Sequence, residues 1–187
     1  MKKGKLIVIS GPSGAGKGTV IKELLNHKKE ICLSISCTTR APREGEEEGI
    51  HYFFKTVEAF EKMLAEDGFL EYAKVFDQYY GTPAFYVNEK RAAGIDVILE
   101  IDVQGAMAVK KSMPDAILIF IAPPNMQELE KRLRARGTET EAQIQKRTAE
   151  AAREMEYKSE YDYIVINDDL THAVEEIKEI IAKELEI

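Results

Sequence analysis

Apolar residues fall in two rhythms along this chain. Unbroken runs at Leu6-Ile7-Val8-Ile9, Val97-Ile98-Leu99 and Ala116 to Ile121 mark strands covered on both faces. Elsewhere apolar residues recur at helical spacing: Val20, Ile21, Leu24 and Leu25; Leu129 and Leu133; Val174, Ile177, Ile181 and Leu185. The pattern predicts strands over 5–10, 33–36, 97–102, 116–121 and 163–166. The second rests on alternation of Leu33 and Ile35 with Ser34 and Ser36. Helices are predicted over 17–27, from Asn125 to Gly137, from there to about Lys158, and from about Thr171 onward. Asn125 with Glu128, and Thr138 with Glu141, have the spacing of capping boxes. Strands alternating with helices predict a parallel sheet with helices on both faces.

Residues 36–83 break this rhythm. They are richer in Tyr and Phe, and their β signals read as local and antiparallel. His51 to Phe54 is strand-like, and Thr56 is placed to cap a short helix that uses Phe60, Met63 and Leu64. Phe69 to Phe76 reads as a strand, and Asp77 to Pro83 as a polar, aromatic loop. The stretch is expected to be a lobe inserted into the main sheet.

Charge adds a local feature to this picture. The chain of 187 residues has a net charge of −7, which argues against non-specific binding to nucleic acid or an anionic membrane. Five of the eight arginines lie between Arg132 and Arg153, so the basic residues concentrate where an anion could bind. Cys32 and Cys37 show no metal or disulfide spacing. Cys32 opens an apolar stretch and is expected to be buried and reduced. No apolar run approaches the roughly 18 residues of a membrane span, and the N-terminus lacks a secretory pattern, so a cytoplasmic setting is expected.

The chemistry begins at Gly11-Pro12-Ser13-Gly14-Ala15-Gly16-Lys17-Gly18-Thr19. A strand precedes this loop and a helix follows it, the context in which such spacing cradles phosphate. Glycines let successive N–H groups face an anion, and the helix N-terminus adds partial positive charge. Lys17 reaches the outer phosphates. The loop departs from its usual pattern at Gly18, where Ser or Thr would meet Mg²⁺, with Thr19 one place late.

Other candidates fall at the carboxyl ends of predicted strands, where ligands bind in open parallel sheets. Arg40 and Arg43, with hydroxyls at Ser36, Thr38 and Thr39, suit a second phosphate. The plainer alternative is a solvated loop with two arginines. Glu71 offers a carboxylate to the two donors of a guanine edge, with Ser36 and Thr82 for the guanine acceptors. From the residues alone, an ordinary outward-facing strand position is the simpler reading of Glu71. Asp102 ends a strand in the manner that orients Mg²⁺ in phosphate-loop proteins, and Glu100 should share its face. A helix N-cap is the alternative for Asp102. Arg132 and Arg136 share a helix face, and Arg147 lies on the next helix. Such a hairpin could close over a triphosphate, whereas Arg134 and Arg153 read as surface charge.

These segments together resemble guanylate kinases. The resemblance rests on the loop from Gly11 to Thr19, Ser36-Cys-Thr-Thr-Arg-Ala-Pro-Arg43, Tyr52, Phe69-Leu-Glu-Tyr72 and Tyr79-Tyr-Gly81. It continues through Leu99-Glu-Ile-Asp-Val-Gln-Gly105, Phe120 to Pro124, Arg132 to Glu141 and Asn167-Asp-Asp-Leu170, nearly end to end. It implies a three-layer α/β fold with a five-stranded parallel sheet, a small mixed GMP-binding lobe and a helical lid. The implied parts are a core at 1–35, 84–124 and 159–187, a lobe at 36–83 and a lid at 125–158.

The implied activity is Mg-dependent transfer of phosphate from ATP to GMP. By that resemblance Ser36, Arg40, Arg43, Tyr52, Glu71, Tyr80, Gly81, Thr82 and Asp102 contact GMP, with Glu100 beside them. Lys17, Arg132, Arg136 and Arg147 act on the ATP phosphates, while Asn167 and Asp168 lie near the adenine. Lys17, Arg40, Arg132, Arg136 and Arg147 would be the catalytic cations. Mg²⁺ would be held mainly by phosphates and water, with Thr19 and Asp102 as protein groups that could aid it. The rival readings are a non-catalytic phosphopeptide-binding module of the same fold and a kinase for another nucleoside monophosphate. A GTPase is disfavoured because no Asn-Lys-x-Asp motif occurs. ATP and GMP are the expected partners, with no nucleic acid and no membrane, in a monomer or small homo-oligomer.

Overall fold

The computed structural model describes residues 3–27, 31–75, 77–135, 137 and 140–185. Its elements are β1 (Leu6–Ser10), α1 (Lys17–His27), β2 (Ile31–Leu33), β3 (Cys37–Thr38), β4 (Phe53–Phe54), α2 (Val57–Ala65), β5 (Phe69–Val75) and β6 (Gln78–Pro83). They continue with α3 (Ala84–Ala92), β7 (Asp96–Glu100), α4 (Val103–Ser112), β8 (Ile117–Ala122), α5 (Met126–Ala135), α6 (Glu141–Glu156), a 3-10 turn (Tyr157–Glu160), β9 (Tyr163–Ile166) and α7 (Leu170–Leu185).

Five strands form the parallel sheet, in the order β2-β7-β1-β8-β9. β1 and β8 are buried at every position, which accounts for their lack of polar alternation. β9 is an edge strand, and there alternation returns: Val165 is buried while Ile164 and Ile166 are exposed. A second sheet, in the order β4-β3-β6-β5, is mixed. β3 pairs with β4 in parallel, and β6 pairs antiparallel with β3 and β5. No helix among the described residues is long and apolar enough to cross a membrane.

By their contacts the residues group into two compact units. The first comprises Met1–Ile7, Glu30–Leu99 and Gln104–Ala116; the second comprises Val8–Lys29, Glu100–Val103 and Ile117–Ile187. In the first unit, α2 is capped by Thr56, whose Oγ1 accepts the Ala59 N–H at 3.1 Å. Its fully buried Phe60 stacks between Phe69 (4.2 Å between ring centres) and Tyr79 (5.1 Å), fastening α2 to β5 and β6. The same unit holds a buried arginine: Arg91 Nε donates to Gly4 O at 2.8 Å and Nη2 to Asp115 Oδ2 at 2.5 Å.

In the second unit, Asn125 Oδ1 accepts the Glu128 N–H at 2.8 Å and starts α5. α5 packs on α6 through Leu129, Leu133 and Ala151, and α1 packs against α7.

Several expectations need correction. The second strand is Ile31–Leu33 rather than 33–36, because its partner β7 pairs with it only from Ile31 to Leu33. Residues 77–83 are not a loop: Gln78–Pro83 is β6, made a strand by ladders on both sides. The strand expected to end at Asp102 ends at Glu100. α6 is capped by a reciprocal Thr140–Gln143 box, not by the expected pair; Thr138 lies outside the described residues. Phe76, the expected end of a strand, also lies outside them, as does the side chain of Leu185. Cys37 is the buried thiol and Cys32 is only half-buried; both are free.

Candidate functional site

The second unit assembles the loop after β1. Positive φ at Gly11, Gly14 and Gly16 (138°, 92° and 90°) lets the backbone curl around an anion. Gly16 is required twice over, since a β-carbon there would lie 2.5 Å from Asn167 Nδ2. Buried Asn167 comes from the end of β9, and its Nδ2 donates to Ala15 O at 2.7 Å. Arg132 Nη2 in turn donates to Asn167 O at 3.0 Å, and its Nε to Glu128 Oε1 at 3.4 Å. Arg147 reaches the loop directly, donating from Nη1 to Ser13 Oγ at 3.2 Å.

Lys17 Nζ rests on the loop's own carbonyls, donating to Gly11 O at 2.5 Å and Pro12 O at 3.2 Å. Ser13, Gly14, Gly16, Lys17, Gly18, Thr19 and Glu100 line a cavity of about 340 Å³. Desolvation by the cavity walls raises the Glu100 carboxyl above its ordinary pKa, and Lys17 opposes that shift.

Of the expected donor-side residues, this unit therefore brings together the loop, Arg132, Arg147 and Asn167, and it adds Glu100, which was expected beside GMP, to the loop cavity. Asp168 is exposed, its Oδ1 accepting the Asp169 N–H at 2.8 Å. Asp102 is exposed just before α4. Arg136 lies outside the described residues. Arg134 is on the surface, paired with Glu130 and Glu141.

The first unit assembles the other set. Phe69 faces Pro83, yet Glu71 faces Thr82 rather than Gly81, so the ladder slips by one residue at Leu70. Such a bulge re-aims the side chains beyond it. Here it puts Glu71 opposite Thr82, whose Oγ1 donates to Glu71 Oε1 at 2.5 Å. Gly81 is needed for the close approach of the strands: a β-carbon would meet Phe69 Cδ1 at 2.9 Å and Glu71 O at 3.0 Å.

Arg40 is held in a cage. Its Nη1 and Nη2 donate to Glu46 Oε2 and Oε1 at 2.9 and 2.8 Å, and its guanidinium lies 5.5 Å from the centre of the Tyr52 ring. Tyr80 meets Tyr52 edge-on at 6.2 Å, on the ring that faces Arg40. The Arg40 fork, with the Arg43 N–H, pulls the Glu46 carboxyl down to about 2, and Arg40 is raised in return. Arg43 is exposed, and its N–H donates to Glu46 Oε2 at 2.7 Å. Ser36 is half-buried one residue before β3.

Two acidic residues escaped the sequence reading. Glu46 stands in the acidic run Glu46-Glu47-Glu48, yet it is half-buried against Arg40. Glu154 lies seven residues after Arg147 on α6, a spacing that returns to the same face and could have flagged it. Burial raises its carboxyl; Lys17 and the N–H of Ser13 oppose this, while Asp102 and Glu150 add to it. α6 thus meets Ser13 through Arg147, which donates to its hydroxyl.

The chain as a whole is similar to known proteins. A family model described as guanylate kinase matches residues 3–184. The guanylate kinase of Caldanaerobacter subterraneus subsp. tengcongensis is 55% identical over 183 residues, covering 98% of this chain and 89% of its own. That of Clostridium acetobutylicum is 53% identical over 183 residues, covering 98% and 87%. The crystal structure of guanylate kinase from Anaplasma phagocytophilum matches with a TM-score of 0.75 at 33% identity, covering 98% of this chain and 87% of that one.

Proposed function

Because the chain belongs to the guanylate kinase family, we propose that it transfers the terminal phosphate of ATP to GMP, giving ADP and GDP. Many phosphate loops bind a triphosphate, so the loop does not choose the acceptor. The observation that carries the acceptor is Glu71 beside Thr82. A carboxylate can accept both donors of the guanine edge, N1–H and the 2-amino group, and adenine presents no such edge.

The acceptor-side reading uses Arg40, Arg43, Tyr52 and Tyr80 for the GMP phosphate, with Glu71, Thr82 and Ser36 for the base. Gly81 keeps the strands close enough to form that surface. The second pKa of a phosphate monoester is about 6, so the attacking oxygen needs no strong base at neutral pH. The chain's task is to align and neutralise two polyanions.

On the donor side, the N–H groups of the loop and Lys17 hold the triphosphate, and Arg132 and Arg147 stabilise charge during transfer. Arg136 is read the same way from the sequence. The working parts are read as a core at 1–35, 84–124 and 159–187, an acceptor lobe at 36–83 and a lid at 125–158.

Mg²⁺ fits the loop cavity, whose lining includes Glu100 and Thr19, residue types that carry the oxygen donors a hard cation takes. When bound, it would neutralise charge on the phosphate oxygens. Two free thiols support a reducing, cytoplasmic setting, with the protein as a monomer or small homo-oligomer.

The intact loop with Lys17 favours an enzyme over a phosphopeptide-binding module. A coupled assay tests this. The purified protein should form ADP from ATP only when GMP is present, and far more slowly with AMP. ADP formation that ignores GMP, or none at all, would sink the reading.

A further inference from the structure

Asn167, at the end of β9, is tied to three other parts of the second unit. Its backbone N–H donates to Ala122 O at 2.8 Å, which continues the pairing of β9 with β8. Its carbonyl accepts Arg132 Nη2 from α5 at 3.0 Å. Its side-chain Nδ2 donates to Ala15 O, in the phosphate loop, at 2.7 Å. Asn167 is only 7% exposed, so the amide is turned into the loop backbone rather than out to solvent.

A loop that turns N–H groups toward an anion must turn carbonyls outward, and a buried outward carbonyl needs a donor. Ala15 is fully buried, and Asn167 supplies that donor. The bond fixes more than the carbonyl. In a planar trans peptide the C=O and N–H point in opposite directions, so holding Ala15 O turns the Gly16 N–H away from Asn167. Gly16 lines the loop cavity beside Lys17. A flip of the same peptide would aim a carbonyl at the anion instead. We propose that Asn167 is a positioning residue for the donor phosphates: its amide locks the Ala15–Gly16 peptide in the orientation that binds them, and it does not read the base. This deepens the reading that the Gly11 loop binds ATP, and rests on it. It also gives Gly16 a further reason, since only a hydrogen fits beneath the amide.

The test separates phosphate grip from base recognition with inorganic tripolyphosphate, which has no base. Its affinity is measured by displacement of ATP from the full chain, and GMP affinity is measured separately by calorimetry. Asn167→Ala should weaken tripolyphosphate about tenfold, the scale of leaving a buried carbonyl without its donor. ATP should weaken by the same factor, and the ratio of kcat/KM for ATP to that for ITP should not change. GMP affinity should stay at the parent value, which a general loss of structure would not allow. Asn167→Asp keeps the side-chain size but sets a carboxylate against the Ala15 carbonyl, so its loss should exceed that of Asn167→Ala.

Unchanged tripolyphosphate affinity in both variants would overturn the proposal while leaving ATP binding by the parent intact. So would a collapse of the ATP-to-ITP ratio, which would make Asn167 a reader of the base. A parent in which tripolyphosphate does not compete with ATP would fell the donor-side reading, and the proposal with it.

Discussion

Glu71 owes its orientation to a single irregularity. Without the slip at Leu70 it would face Gly81, and the hydroxyl of Thr82 would have no carboxylate to meet. One oxygen of Glu71 is thus oriented by a buried donor, which pre-organises the carboxylate for a planar edge. Glu71→Gln replaces one acceptor by a donor that opposes the guanine amino group. Losing a charge-assisted hydrogen bond of this kind should lower kcat/KM for GMP about 10- to 100-fold. The KM for ATP should hardly change. Initial rates with each substrate varied in turn would show this; an equal loss on both substrates would remove Glu71 from base recognition. Arg40 follows a similar logic, because Glu46 holds its fork in one plane beside the Tyr52 ring.

Elements are held in place by a few non-local ties. The Phe69–Phe60–Tyr79 stack fixes a nine-residue helix, too short to be stable alone, on the strands that carry Glu71 and Thr82. Arg91 is a further tie within the first unit. It is 2% exposed, and the Asp115 side chain that pairs with it is 60% exposed. Arg91 holds the Asp115 carboxyl below its ordinary pKa, so the pair contributes stability above the usual value near 3.8 and loses it as pH falls through the lower, folded value. Asp115→Asn should therefore cost about 1 kcal/mol at pH 7, a buried-pair penalty discounted for the exposed partner. That difference from the parent should shrink below about pH 4. Urea unfolding of both proteins across this range measures it, and a gap that widens in acid would contradict the assignment.

At the scale of the molecule, an overall charge of −7 coexists with local sets of cations around the two proposed phosphate-binding surfaces. The net value is therefore a poor guide to the ligands. Selective binding should appear as linkage: GMP at 100 times its dissociation constant should add about 2.7 kcal/mol to the unfolding free energy. For a chain of this size that corresponds to a rise of about 5–10 °C in melting temperature. AMP at the same concentration should give little. Equal shifts from both nucleotides would show that the acceptor surface does not discriminate between bases.

The sequence by itself determined what local chemistry determines. Continuous apolar runs identified the buried strands β1, β7 and β8, because parallel strands covered on both faces tolerate no polar alternation. Glycine spacing and Lys17 identified the phosphate loop, because curling backbone around an anion demands those residues in that order. Thr56 and Asn125 marked helix starts through the same short-range bonds that the fold contains. Tertiary structure decided what depends on distant partners. Gln78–Pro83 carries turn residues and became a strand only because β3 and β5 pair with it. The slip that aims Glu71, the amide of Asn167 on Ala15, and Glu46 on Arg40 join residues whose meeting no local pattern encodes. Glu100 is the sharpest case. Its place two residues before Asp102 was legible, but its nearness to the empty side-chain position at Gly18 arises only when loop and strand end are folded together.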